Sequence, residues 1–143
     1  MTSCVVDASV AVKWLLPAAG EELIRQANHL LGLHVTRAMQ LIAPDLIHSE
    51  IGNALWKAVR RDRLSPAEAE DSLRRFSDLA LEIVPADELL IPTLQIAANC
   101  NRTFYDSLYV AVALNTKTEL ITADERLVNA LGSRFPVRWL GAY

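Results

Sequence analysis

The chain is short of most features by which a sequence announces a compartment or a chemistry. Its 143 residues include two cysteines. Cys4 and Cys100 stand singly, with no CxxC spacing to suggest a redox pair or a zinc site, so both read as small buried hydrophobes. No apolar run approaches the roughly 20 residues that cross a bilayer, and there is no signal-peptide layout. These absences argue against a membrane helix or a disulfide-stapled secreted fold, and the expectation is a reduced, cytoplasmic protein with no membrane partner. Positive charge is scarce as well: 14 Lys and Arg against 17 Asp and Glu leave a net charge of −3, the wrong sign for binding nucleic acid through phosphate contacts alone. A GxSxG elbow for a serine hydrolase is missing. His48-Ser49-Glu50 offers an HxE without the PCxxC that completes a zinc deaminase. His29, His34 and His48 are therefore read as surface or helix-packing residues. A phosphoaspartate mechanism at Asp7 lacks a second acid two residues on, where Ser9 stands.

What remains is a regular alternation of short apolar runs and helical patterns. Ser3 to Asp7, Leu41 to Ala43, Leu81 to Val84, Glu119 to Thr122 and Val137 to Leu140 read as strands. Helices are predicted over Ser9–Leu16 with a stop at Pro17, over Glu21–Leu33, Leu46–Arg61, from Ser65 onward, and over Glu88–Asn99, Thr103–Leu114 and Asp124–Leu131. Ser65-Pro66-Ala67-Glu68 combines an N-cap, a proline in the first turn and a capping-box acid. Strands separated by helices require crossovers, and crossovers imply a mostly parallel sheet covered on both faces. The expected fold is thus a three-layer α/β/α domain with a central sheet, one domain over residues 1–143. In such folds ligands gather beyond the carboxyl ends of the strands.

Four acids bear on that edge. Asp7 and Asp124 each follow a strand, and each also precedes a helix it could cap. Glu50 falls on or beside the apolar stripe of Ile47, Ile51, Ala54, Leu55 and Ala58, with Asn53 on nearly the same face. An exposed position at the stripe's margin is the plainer alternative. Asp106 opens a helix that is apolar on nearly every side; Thr103 could cap that helix, with Asp106 as the capping-box partner favoured by the dipole. If all four converge, pairs about 5 Å apart repel by roughly 3 kcal/mol at an effective dielectric near 20. Either some acids protonate or a cation binds, and hard oxygen ligands suit Mg²⁺ or Mn²⁺.

The same residues carry a resemblance. Val5-Val6-Asp7-Ala8-Ser9-Val10-Ala11-Val12-Lys13-Trp14-Leu15-Leu16-Pro17 resembles the start of PIN-domain proteins, particularly the VapC toxins of bacterial toxin–antitoxin pairs. Glu50-Ile51-Gly52-Asn53-Ala54-Leu55, Tyr105-Asp106-Ser107-Leu108-Tyr109-Val110-Ala111 and Leu120-Ile121-Thr122-Ala123-Asp124-Glu125-Arg126-Leu127 resemble the family's other three motifs, in order. The likeness runs from Val5 to Trp139. Leu127 stands where the family often has Phe, and Ala18 where it often has an acid. By this resemblance Asp7, Glu50, Asp106 and Asp124 form the catalytic, metal-holding cluster, and Ser9, Asn53 and Thr122 steady it.

The implied activity is metal-dependent hydrolysis of RNA phosphodiester bonds, with one or two Mg²⁺ or Mn²⁺ ions and products bearing 5′-phosphate and 3′-hydroxyl ends. Asp7, Glu50 and Asp106 would chiefly hold one ion, and Asp124 would help hold a second. Two divalent ions would bring the net charge from −3 to about +1, which answers the charge objection. Lys57, Arg60, Arg61 and Arg63 form a basic stretch that could touch the RNA backbone or simply be a solvated helix end. The resemblance further implies a cognate antitoxin and a homodimer. Trp14 and Trp56 could supply apolar surface for these, although core packing is the default reading of each. The rival reading is a PIN-like module that binds RNA, metal or a protein partner without cutting.

Overall fold

The computed structural model describes residues 2–16 and 22–143. The predicted stop at Pro17, the departure at Ala18 and the predicted helix start at Glu21 lie outside the described residues.

The first strand, β1 (Thr2–Val6), is exposed at Thr2 and buried from Cys4 onward. It pairs in parallel with β2 (Met39–Pro44) on one side and β4 (Leu120–Thr122) on the other, Val5 standing opposite both Ile42 and Leu120. With β3 (Glu82–Val84) and β5 (Val137–Trp139) at the edges, the order is β3-β2-β1-β4-β5 and every described pairing is parallel. A parallel strand at the centre is covered on both faces. That is why the central runs read as continuous apolar segments: Val5, Val6, Leu41, Leu120 and Ile121 are all inaccessible to solvent.

Among the described residues seven helices cover the sheet: α1 (Ala8–Leu15), α2 (Ile24–Val35), α3 (Leu46–Arg60), α4 (Pro66–Asp78), α5 (Leu90–Cys100), α6 (Phe104–Asn115) and α7 (Glu125–Leu131). Parallel crossovers are right-handed, so the outward run from β1 to β3 lays α1 to α4 on one face, and the return run lays α5 to α7 on the other. Contacts agree, since α1 packs on α2 and α3, α3 on α4, and α5 on α6, which itself lies on β1 and β2.

Two local signals are realised as read. Ser65 accepts a hydrogen bond from the Glu68 amide at 3.1 Å while Glu68 accepts one from the Ser65 amide at 2.9 Å, so α4 begins with a complete capping box. Helix α6 is buried without a break from Ser107 to Ala113, as its uniformly apolar composition requires. Two expectations need correction. The helix predicted from Glu88 starts at Leu90, because a 3₁₀ turn over Ala86–Glu88 follows Pro85 and intervenes. Trp56 is not a core residue: it is 52% exposed, with the Arg60 guanidinium 5.0 Å from its ring centroid, whereas Leu55 and Ala58 beside it are the residues that α3 buries. Trp14 is half-buried and donates its indole N–H to the Ala27 carbonyl at 2.8 Å. His34 packs between elements, bridging Leu79 and Leu41, whereas His48 is exposed and lies edge-on to Phe76.

Candidate active site

Asp7 sits where β1 hands over to α1, with an extended backbone. Its side chain makes no capping hydrogen bond to that helix, so capping does not explain it. Both carboxylate oxygens are instead taken by hydroxyls: Ser9 donates to Oδ1 at 2.5 Å, and Thr122, at the end of β4, donates to Oδ2 at 2.6 Å. Those hydroxyls are themselves fixed. Ser9 Oγ accepts from the Ala123 amide at 2.9 Å and Thr122 Oγ1 from the Asp124 amide at 3.1 Å. A carboxylate from one strand is thereby tied to the loop after its neighbour.

Only 8% of Asp7 is exposed. Burial is the main reason its carboxyl is pushed up from 3.8 to about 6; the charge of Glu50 adds to the rise, and the two hydroxyl donors oppose it. Glu50, half-buried on α3, is raised for the same first reason, desolvation, with the charge of Asp106 contributing and a hydrogen bond from Tyr109 working against it. Asp7, Glu50 and Asp106 therefore form an electrostatic series, each member sensing the next.

Two side chains outside the predicted set complete the series. Tyr109, one turn past Asp106 and only 3% exposed, donates its hydroxyl to Glu50 Oε1 at 2.5 Å and has the backbone of Ala8 as a second partner. It joins α6 to α3 and to the residue after Asp7. Arg102, four residues before Asp106, places Nη2 3.2 Å from Asp106 Oδ2. The capping-box reading of Asp106 is half met: Thr103 accepts from the Asp106 amide at 3.0 Å, but the acid's own side chain turns to Arg102. Tyr109 was present in the motif as a polar tip in an otherwise apolar helix, and Arg102 as an i,i+4 partner; neither signal reveals its target without the fold.

Asp124 stands at the same edge, half-buried. Its Oδ1 accepts from the Arg126 amide at 3.0 Å, so the acid does cap α7. It joins the others through the Thr122 and Ser9 hydroxyls rather than by direct contact. Among the described residues no three His, Cys, Asp or Glu side chains are gathered closely enough to hold one ion together. The expected tight convergence is thus relaxed, each carboxylate being taken up by donors of its own. Asn53 is exposed on α3 and lines, with Ala8, Ser9, Val12, Glu50 and Lys57, a shallow cleft of about 280 Å³. Of the basic stretch, Lys57 is the member that reaches this cleft; Arg60 and Arg61 lie with it along the Trp56 side of α3, and Arg63 is exposed beyond the helix end.

The donor set fits a hard divalent ion. Asp7 and Glu50 offer carboxylate oxygens that accept from neutral hydroxyls, and Mg²⁺ is commonly held by one or two carboxylates with water completing its shell.

A sequence model of the PIN domain matches residues 4–131. Ribonuclease VapC1 of Mycobacterium tuberculosis is 35% identical over 133 residues, covering 92% of this chain and 93% of its own. Among solved structures, PAE2754 from Pyrobaculum aerophilum superposes with a TM-score of 0.71 at 26% identity, over 99% of this chain and 85% of that one. A toxin–antitoxin complex from Klebsiella pneumoniae shares the fold with a TM-score of 0.63 at 14% identity, over 94% and 95% of the two chains.

Proposed function

Because the chain belongs to the PIN-domain family, we propose that it is a divalent-metal-dependent endoribonuclease, one domain over residues 1–143, acting as the toxin of a toxin–antitoxin pair. The observation that carries this reading is Asp7: a carboxylate buried at the carboxyl end of the central strand, held by two neutral hydroxyls and crowded by the charge of Glu50. A group so placed is costly to the fold and is accounted for by a cation that the fold is built to receive. The resemblance to a ribonuclease over nine-tenths of both chains supports the substrate class.

Asp7 and Glu50 would hold the ion, Asp106 and Asp124 extending the site on either side. When bound, Mg²⁺ or Mn²⁺ supplies an activated water near neutral pH and offsets negative charge on the scissile phosphate. The protein's own part is orientation. Ser9 and Thr122 fix both oxygens of Asp7, Tyr109 fixes Glu50, and Asn53 and Lys57 flank the cleft along which an RNA backbone would lie. Lys57 is the first backbone contact, with Arg60, Arg61 and Arg63 further along. The reading also assigns an antitoxin partner, a homodimer and a cytoplasmic site of action; among the described residues no helix is long and apolar enough to cross a membrane.

Purified protein and its Asp7→Asn variant, incubated with a circular RNA and Mg²⁺ or Mn²⁺, test the proposal. Cleavage by the parent alone, lost on chelation and leaving 5′-phosphate ends, is expected. Equal cutting by both proteins, or persistence in EDTA, would refute it. Binding of RNA by both without cleavage across a cellular RNA pool would favour the non-catalytic module, a reading to which the relaxed spacing of the acids lends some weight.

A further inference from the structure

Three of the proposed site acids receive neutral donors, hydroxyls on Asp7 and Glu50 and a backbone amide on Asp124. Asp106 is paired with a guanidinium, and how that guanidinium is held bears on the site. Arg102 lies in the three-residue turn between α5 and α6, where Asn101 adopts the left-handed conformation at φ 52° and the Arg102 amide bonds back to the Ala97 carbonyl at 3.3 Å. The turn therefore delivers the side chain to the first turn of α6. Its side chain is 25% exposed and that of Asp106 37%, so the pair is sheltered though not sealed. Arg102 Nε is buried with no hydrogen-bond partner. Arginine is suited to bidentate pairing with a carboxylate, yet here the contact with Asp106 is made by Nη2.

We infer that Arg102 is a resident counter-cation of Asp106 that competes with the divalent ion and so sets how tightly the acidic site takes metal. This rests on the metal-dependent reading above. The charge of Asp106 reaches Glu50, so a cation on Asp106 drains negative potential from the part of the site where an ion would sit. An ion drawn toward Asp106 meets a positive charge already there, and must displace it or bind beside it; either way Coulomb repulsion opposes binding. The unmatched Nε makes displacement easier, because the guanidinium leaves behind a poorly satisfied position and not a complete hydrogen-bond set. Arg102 thereby acts as a positioning and tuning residue, with the sign of its effect opposite to that of a ligand.

The test is direct binding of Mn²⁺ to the full chain without RNA, read from the loss of the free-ion electron paramagnetic resonance signal. Arg102→Gln removes the charge, Arg102→Met does so while keeping an apolar stem, and Arg102→Lys keeps the charge. Both neutral variants should bind Mn²⁺ about tenfold more tightly, a factor discounted for the partial exposure of the pair. The lysine variant should stay near the parent, and adding Asp106→Asn to Arg102→Gln should abolish the gain. Equal or weaker binding by the neutral variants overturns the inference while leaving the metal-dependent reading intact. So does loss of the fold in both of them with Arg102→Lys still folded, which would make the pair a structural brace. Failure of the parent and every variant to bind Mn²⁺ at millimolar concentration would remove the metal-dependent reading and the inference together.

Discussion

Replacing Asp7 with Asn should disarm the protein and, at neutral pH, make it more stable. The folded carboxyl titrates near 6 against 3.8 as its ordinary value, burial being the main cause. A shift of about two units at 1.36 kcal/mol each is about 3 kcal/mol. The sign follows from proton counting. Between pH 4 and 6 the folded state holds a proton that the unfolded chain has released, so stability falls as pH rises through that window. Below about pH 4 the cost is absent, and above about pH 6 it is complete. Asn abolishes the charge but cannot accept from both hydroxyls, Ser9 on Oδ1 and Thr122 on Oδ2; one mismatched hydrogen bond returns about 1 kcal/mol. The net expectation at pH 7 is a gain of about 1–2 kcal/mol, or roughly 3–8 °C in a chain of this size. Urea denaturation of parent and variant in EDTA, at half-unit steps from pH 4 to 7.5, isolates Asp7, because Glu50, raised in the same direction, and Glu68, lowered and fully exposed, are common to both proteins. A gap between variant and parent that widens with pH is the predicted result. A variant less stable than the parent at pH 7, or a gap that does not change with pH, would refute the account of Asp7 as a strained buried carboxylate.

Tyr109→Phe removes the hydrogen bond to Glu50 with little change of shape; because that bond holds the Glu50 pKa down, the acid limb of the activity–pH profile should move upward, with kcat falling more than KM. An unshifted limb would show that Glu50 is oriented by something else. Ser65→Ala removes the hydroxyl that accepts from the Glu68 amide, one half of the α4 capping box, while the backbone N–H of residue 65 can still donate to Glu68; it should cost about 1 kcal/mol by urea denaturation, leaving RNA cleavage unchanged since α4 contributes no proposed site residue.

Different levels of the molecule were legible to different degrees. The dryness of α6 could be read from composition, because a helix buried from Ser107 to Ala113 leaves no room for polar side chains other than small or satisfied ones. The edge on which Asp7 and Asp124 stand followed from the alternation of strands and helices. What could not be read was where each carboxylate points. Asp106 chose Arg102 over the backbone of its own cap, and Asp124 chose the Arg126 amide, choices made by rotamers that depend on neighbours 2 to 4 residues away and on the packing above them. Glu50 found Tyr109, 59 residues distant, a contact only the tertiary arrangement creates. Trp56 was misplaced for a similar reason: on α3 it stands one position from Leu55, and a shift of 100° around a helix separates core from solvent.

The two outermost strands, Glu82–Val84 and Val137–Trp139, are three residues long, and Glu82 and Arg138 on them are exposed charges. Margins so brief offer an approaching copy too few free amides and carbonyls to continue the ladder, and the charges penalise the attempt. Association with any polypeptide is thereby steered to the helical flanks, where recognition is decided by side-chain shape and so discriminates one partner from another. For the proposed toxin, with its one specific antitoxin, backbone zippering that accepts any extended peptide would be a liability, and the brevity of these margins removes it.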